Sequence, residues 1–388
     1  MMGKKKFIPY GRQSISEEDI QAVVDVLRSD RLTQGPVVEQ FERAVAEYCG
    51  AKYAVAVSNG TAALHLAALA AGFEEGDEVI TSPITFVASA NCIVYSGATP
   101  VFADIDRNTY CIDPEQIKRK ITSKTKGLIP VHFAGQPCDM VEISTISKRN
   151  NLIVIEDAAH AIGASYEVDG RTYKVGCCAH SDMAIFSFHP VKHLTTGEGG
   201  MITTNSPELY ERLCLLRTHG IIKDPKRLGR NDGPWYYEQQ ELGFNYRITD
   251  IQCALGLSQL KRLDEFVGRR RQIVKKYNDA FSECDTLIVP QQRAGANSSW
   301  HLYMLGFQSF DRRVVFEALR ECGLGVNVHY IPLHLQPFYA DNFNLSVGDY
   351  PEANKYYSRV ITLPLYPSMT DKDVQQVLNA VHEVVENN

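Results

Sequence analysis

The chain has 388 residues, with 40 Lys and Arg against 46 Asp and Glu, a net charge of −6, and 44% hydrophobic and 22% charged residues. That balance, with no arginine-rich stripe or basic helix, excludes a nucleic-acid surface and suits a soluble two-domain globular protein. No apolar run approaches the roughly 18 residues of a membrane span.

At the N-terminus, Lys4-Lys5-Lys6 reads as a solvated end. Ile8-Pro9-Tyr10-Gly11 stands where a secretory signal would carry its apolar core. The ten cysteines form no Cys-x-x-Cys pair, and the adjacent Cys177-Cys178 suit neither a disulfide nor zinc. Reduced thiols, a cytoplasmic location and no metal site are expected.

Ser16 and the acids after it open a helix, with Ile20, Val23, Val24 and Leu27 on one face. Leu32-Thr33-Gln34-Gly35-Pro36 breaks it, and a second helix carries Val38, Phe41, Val45 and Tyr48. Strand-like runs follow at 53–57, 78–81, 100–104, 127–133, 152–157, 183–188 and 201–204, with helical segments between many of them. Short apolar strands alternating with helices predict an α/β fold with a mostly parallel sheet covered on both faces. A long helical pattern runs from Asp250 to Phe281. A smaller α+β segment follows, with strands at 301–307 and 325–330 and a last helix with Val374, Val377, Leu378, Val381 and Val385 on its apolar face. The expected division is an N-terminal segment (1–34), a large domain (35–250), and the long helix with a small C-terminal domain (251–388).

Two strand ends carry the chemistry. Leu152-Ile153-Val154-Ile155-Glu156-Asp157 ends in an acid. Ile185-Phe186-Ser187-Phe188-His189-Pro190-Val191-Lys192 ends in a hydroxyl and a lysine, before the turn Gly197-Glu198-Gly199-Gly200. A lysine and an aspartate at the ends of buried strands suit pyridoxal phosphate (PLP), which needs a Schiff-base lysine and an acid for its pyridine nitrogen. Taken alone, Asp157 reads more readily as a cap for the next helix. Ser58-Asn59-Gly60-Thr61-Ala62-Ala63-Leu64 joins a strand to a helix, and its first amides offer a phosphate site or simply a capped turn. Phe86 can stack on a ring or belong to the core. Ala159 can lie flat against a ring, and His160 can donate to a phenolic oxygen or sit satisfied behind it.

In this order, these segments, with Leu32-Thr33-Gln34-Gly35-Pro36 and Asn245-Tyr246-Arg247-Ile248-Thr249-Asp250-Ile251-Gln252, resemble the PLP-dependent sugar aminotransferases of the DegT/DnrJ/EryC1/StrS family. The likeness runs from Ser16 to the last helix. It implies the fold type I (aspartate aminotransferase-like) architecture and a homodimer with active sites shared between subunits. By that resemblance Lys192 carries the cofactor and Asp157 pairs with its ring nitrogen. Gly60, Thr61, Ala62 and Ser187 hold the phosphate, Phe86 and Ala159 sandwich the ring, and His160 lies near its phenolic oxygen. Asn245 would reach the cofactor phosphate of the neighbouring subunit.

Within the family, Val131-His132-Phe133-Ala134-Gly135-Gln136-Pro137-Cys138-Asp139-Met140 and Arg217-Thr218-His219-Gly220-Ile221 look most like the aminotransferases of pseudaminic acid biosynthesis. That likeness implies transfer from glutamate, leaving 2-oxoglutarate, to C4 of a UDP-linked 4-keto-6-deoxy-N-acetylhexosamine. His193 departs from the proline common there. Arg247, His329 and Tyr330 are the candidates for sugar-nucleotide binding, with Tyr10 and Thr33 near the entrance. Three other readings stay open: an aminotransferase for another nucleotide-linked keto sugar, a dehydratase on the same scaffold, and a non-catalytic binding protein. Intact Lys192 counts against the last two. The absence of Gly-x-Gly-x-x-Gly after the first strand counts against a nicotinamide dehydrogenase.

Overall fold

The structure is a computed structural model and describes residues 6–387; Lys4 and Lys5 lie outside them, and Lys6 pairs with Asp373 at 2.7 Å. In chain order the first strands are β1 (Tyr53–Val57), β2 (Glu78–Thr81), β3 (Thr99–Phe102), β4 (Thr125–Ile129) and β5 (Ile153–Asp157). A hairpin, β6 (Ser165–Val168) and β7 (Arg171–Lys174), precedes β8 (Met183–Ser187) and β9 (Gly200–Thr204). Seven of these form one sheet in the order β1-β9-β8-β5-β4-β2-β3. Its pairs from β8 through β5, β4 and β2 to β3 are parallel, and β9 runs antiparallel to both β8 and β1.

Burial alternates along each strand. Ile80, Leu128, Val154 and Phe186 enter a core on one face of the sheet. Their neighbours Val79, Ile129, Ile155 and Ile185 enter a second core on the other face, with the helix Gly60–Ala70. Successive side chains point to opposite faces, so a strand apolar at every position must be covered on both, as the sequence pattern predicts.

The rest of the chain adds β10 (Ile221–Ile222), β11 (Glu238–Gln239), β12 (Leu287–Ile288), β13 (Ala296–Asn297), β14 (Tyr303–Phe307) and β15 (Val360–Leu363). A small antiparallel sheet, β12-β14-β15, packs with the helices Leu263–Phe281, Arg312–Glu321 and Asp371–Asn387 around a third core. The N-terminal stretch joins that body: Ile8 is fully buried in its core and exchanges backbone hydrogen bonds with Gly323 and Gly325.

Three expectations are corrected. The long helical pattern is two helices, Asp250–Leu260 and Leu263–Phe281. At the break, Arg262 leaves helical geometry and its guanidinium meets the fully buried Asp19 at 2.5 Å. The run at 127–133 stops at Ile129, because Pro130 has no amide for the ladder. The segment 325–330 forms no regular strand: Gly325 donates its amide to Ile8, Asn327 makes an isolated bridge to Thr362, and the Asn327 side chain accepts the Val328 amide at 2.8 Å.

Candidate active site

In open parallel sheets ligands bind beyond the carboxyl ends of the strands. Here β1, β2, β4, β5 and β8 all open onto one cleft of about 1250 Å³. Gly60, Thr61, Ala62, Phe86, Asp157, Ala159, His160, Ser187, Lys192, His329 and Tyr330 all line it. Eleven of the thirteen predicted site residues, scattered over 270 positions of chain (330 − 60), therefore meet in one place.

Lys192 sits on the loop after β8, half-buried, its amide bonded to the His189 carbonyl at 2.9 Å. Burial pushes its ammonium down to about 8, against the pull of Asp157. Such an amine is partly uncharged near neutral pH. Asp157 is buried at the end of β5, and desolvation holds its carboxyl above the ordinary range. Four favourable influences oppose that shift: the Ser89 hydroxyl at 2.5 Å, the Ala159 amide at 3.1 Å, the charge of Lys192, and His132.

The helix Gly60–Ala70 starts at the cleft wall. Asn59 caps it, accepting the Ala62 amide at 2.8 Å. The amide of Ala62 is thus engaged, and the helical orphan donors left for an anion are those of Gly60 and Thr61. A side chain at position 60 would not fit, because its Cβ would stand 2.9 Å from the Ser187 Cβ. The hydroxyl of Ser187 lies beside this backbone for the same reason.

Phe86 is 55% exposed at the cleft wall, unusual for its type, with its ring 6.1 Å from that of Tyr330. His160 is buried. Its Nδ1 accepts the Ala134 amide at 3.3 Å, which leaves the ring proton on Nε2, 3.3 Å from the Tyr330 hydroxyl. His301 packs 4.5 Å from His160, and His193 packs 5.5 Å from His301. His193 turns away from the cleft, with Nε2 3.0 Å from the Ser299 carbonyl. His329 bonds Thr362 at 2.9 Å through Nδ1 and faces the Asn327 amide through Nε2. Both its nitrogens are occupied within the small domain, whereas Tyr330 presents its ring to the cleft. Tyr10 is at the entrance, 5.3 Å from His329.

These imidazoles bear on stability. Burial drives His160, His193 and His301 well below the usual 6.5, and His329 down to about 3. The folded chain keeps them neutral while the unfolded chain protonates below about 6.5. Their contribution is complete above that pH and is lost as pH falls, by about 1.4 kcal/mol per histidine per unit. Thermal midpoints measured from about pH 7.5 down to 5.5 should fall steeply. His329→Gln should flatten that fall, and a curve parallel to wild type would refute the assignment.

Two predicted residues lie elsewhere. Asn245 is exposed and bridges to Thr218, and Arg247 lines a separate cavity of about 260 Å³ with Gln34, Gly35 and Glu39. Arg247 is therefore not a ligand of its own chain's cleft. The segment is extended, so alternate residues face alternate ways: Phe244 and Tyr246 take the cleft side. Thr33 also falls outside the cleft, bridging to Thr249. Asn59 and Ser89 are cleft residues that sequence reasoning missed. An asparagine just before a helix is a readable cap signal. Ser89 has no comparable signal, because its partner lies 68 positions away.

The chain is similar to known proteins along nearly its whole length. The DegT/DnrJ/EryC1/StrS aminotransferase family matches residues 13–382. The spore coat polysaccharide biosynthesis protein SpsC of Bacillus subtilis is 44% identical, over 98% of each chain. PseC of Helicobacter pylori, an aminotransferase involved in the biosynthesis of pseudoaminic acid, superposes with a TM-score of 0.90 at 31% identity, covering 99% of this chain and 100% of PseC. Spr1654 of Streptococcus pneumoniae, in its PLP form, superposes with a TM-score of 0.90 at 31% identity, covering 98% of this chain and 99% of that one.

Proposed function

The chain belongs to the DegT/DnrJ/EryC1/StrS aminotransferase family, and we propose that it moves an amino group from glutamate to C4 of a UDP-linked 4-keto-6-deoxy-N-acetylhexosamine. It is a PLP-dependent sugar aminotransferase of fold type I. The observation that carries the reading is the placement of Lys192 and Asp157 in one cleft, at the ends of adjacent parallel strands.

The residues present fit PLP. The cradle at Gly60 admits no side chain, two helix-terminal amides stand free beside the Ser187 hydroxyl, and a buried acid faces a lysine of lowered pKa. Bound there, PLP supplies a carbonyl for amines and an electron-withdrawing ring. Gly60, Thr61 and Ser187 would take its phosphate, with Ala62 closing the helical turn behind them. Asp157 would hold the proton on the ring nitrogen. Phe86 and Ala159 would bound the ring's faces, and the Nε2–H of His160 would donate to its phenolic oxygen. Lys192 would anchor the cofactor and, as a free amine, would take up the α-proton of glutamate and give it back. A pKa near 8 lets one group do both at neutral pH.

Tyr330, with His329 behind it, borders the space left for the sugar nucleotide. The likeness of the Val131–Met140 segment and the similarity to PseC support the pseudaminic-type substrate. Asn245 and Arg247, which face away from their own cleft, are assigned to the site of a second copy in a homodimer. The exposed Trp235 and Leu242 near that segment, 75% and 77% open, support a covering partner. Among the described residues no helix is long and apolar enough to cross a membrane. Among the described residues no disulfide joins Cys49, Cys92, Cys111, Cys138, Cys177, Cys178, Cys214, Cys253 or Cys284, which fits a reducing cytoplasm.

Absorbance of the purified protein with PLP, before and after glutamate, tests the reading. We expect a visible band that disappears with glutamate and returns with the keto sugar nucleotide. A protein that stays colourless in excess PLP would refute it.

A further inference from the structure

The hydrogen bonds behind Asp157 follow one direction. Its Oδ2 accepts from the Ser89 hydroxyl at 2.5 Å, and its Oδ1 accepts from the Ala159 amide at 3.1 Å. Ser89 in turn lies 2.7 Å from the Thr85 hydroxyl. Ser89 and Thr85 are both buried, 1% and 2% exposed. An ionised carboxylate can only accept. Ser89 must therefore donate to it, which leaves the serine oxygen to accept the hydrogen of Thr85. The alternative acceptor for Ser89, the Phe86 carbonyl, stands further off at 3.3 Å. A serine engaged only with its own turn would donate to that carbonyl, three residues back.

We propose that Thr85 and Ser89 form a directed hydroxyl relay that orients Asp157 and keeps it ionised, making both of them positioning residues for the reaction. The proposal deepens the functional reading and rests on Asp157 meeting the cofactor's ring nitrogen. The spacing supports it. Thr85 lies in the turn that leads into the helix Ala88–Tyr95 and Ser89 in its first turn, and the turn folds the two hydroxyls to 2.7 Å. Burial strengthens each link of such a chain, because water cannot replace a missing donor. Three more groups bear on the same carboxylate: Lys192 from the loop after β8, His132 from beyond β4, and Tyr330 from the small domain. Cys92, one turn along the helix from Ser89, is the remaining titratable neighbour. Among the described residues, Ser89 and the Ala159 amide are the groups that donate to it directly.

The test uses full-length apo-protein and needs no turnover. PLP is titrated into wild type and into Ser89→Ala, Ser89→Thr and Thr85→Val, and the visible band of each loaded protein is followed against pH. Ser89→Ala should weaken PLP binding about tenfold, the worth of a hydrogen bond to a charged group. The midpoint of its spectral pH transition should rise by about one unit. A less firmly ionised Asp157 leaves less positive charge on the ring, so the nitrogen of Lys192 keeps its proton to higher pH. Thr85→Val should shift both quantities in the same direction by less, and Ser89→Thr should restore both. If Ser89→Ala fails to fold, Thr85→Val decides. Unchanged affinity and midpoint in the alanine variant, or a threonine variant no better than alanine, overturns the relay alone. A wild-type protein without a visible band overturns the relay together with the functional reading.

Discussion

Lys192→Ala should abolish amino transfer, lowering the rate by about 10⁴-fold or more, because one group both anchors the cofactor and moves the proton. The loss comes from chemistry and not from folding. The lysine is half-buried on a loop, and its ammonium is disfavoured there by burial. The alanine protein should therefore melt no lower than wild type, and should still take up PLP through the Gly60–Thr61 cradle and Ser187. Lys192→Arg separates charge from basicity: its guanidinium stays protonated at any working pH, so it should be equally inactive. Single-turnover transfer from glutamate, measured beside PLP retention, checks this. Wild-type turnover in either variant would remove the central claim.

Asp157→Asn comes next in size, with an expected loss of about 10²–10³-fold in turnover, as for removal of one preorganised electrostatic group. The amide keeps the shape of the carboxylate and can still accept from Ser89, but it cannot hold a proton on a pyridine nitrogen. Stability carries its own signature. Burial holds the Asp157 carboxyl above its ordinary 3.8. Its stabilising contribution is thus complete below about 3.8 and is lost as pH rises through the folded value. Wild type should therefore gain stability relative to the non-titrating asparagine variant as pH falls. In that variant the amide NH2 must face either Ser89 or the Ala159 amide at every pH. Equal pH dependence in the two proteins would refute that assignment, and unchanged turnover would refute the role of Asp157.

Much of this was readable in advance, and for a physical reason. Strands buried on both faces appear as continuous apolar runs, so Leu152–Asp157 and Met183–Phe188 announce themselves. Parallel connectivity then brings their carboxyl ends together. The structure accordingly gathers Gly60, Asp157, Ser187 and Lys192 into one cleft. The hairpin β6–β7 has a local signal: Asp169-Gly170, both at positive φ, is the favoured tight turn between paired strands. Other features have no local signal at all. Ser89 looks like any small helix residue until Asp157 is placed against it. Nothing in the periodicity marks the break before Leu263, which coincides with a buried acid some 240 positions away (262 − 19 = 243). The facing of Asn245 and Arg247 depends on register in an extended segment, and a one-residue shift reverses it.

The antiparallel course of β9 bears on the order of assembly. It makes β8 and β9 a hairpin, with Lys192 in the connecting loop, so the lysine's surroundings close through contacts local in sequence. The other contributors come from β1, β2 and β5, and such distant pairings are the slow part of folding. The phosphate cradle, the acid and the lysine coincide only when the whole sheet is in register. A ligand that needs all three binds the finished fold and nothing earlier, adding about 2.7 kcal/mol at a hundredfold excess over its dissociation constant. Cofactor supply then governs how long the newly made chain survives proteolysis as well as how fast it works.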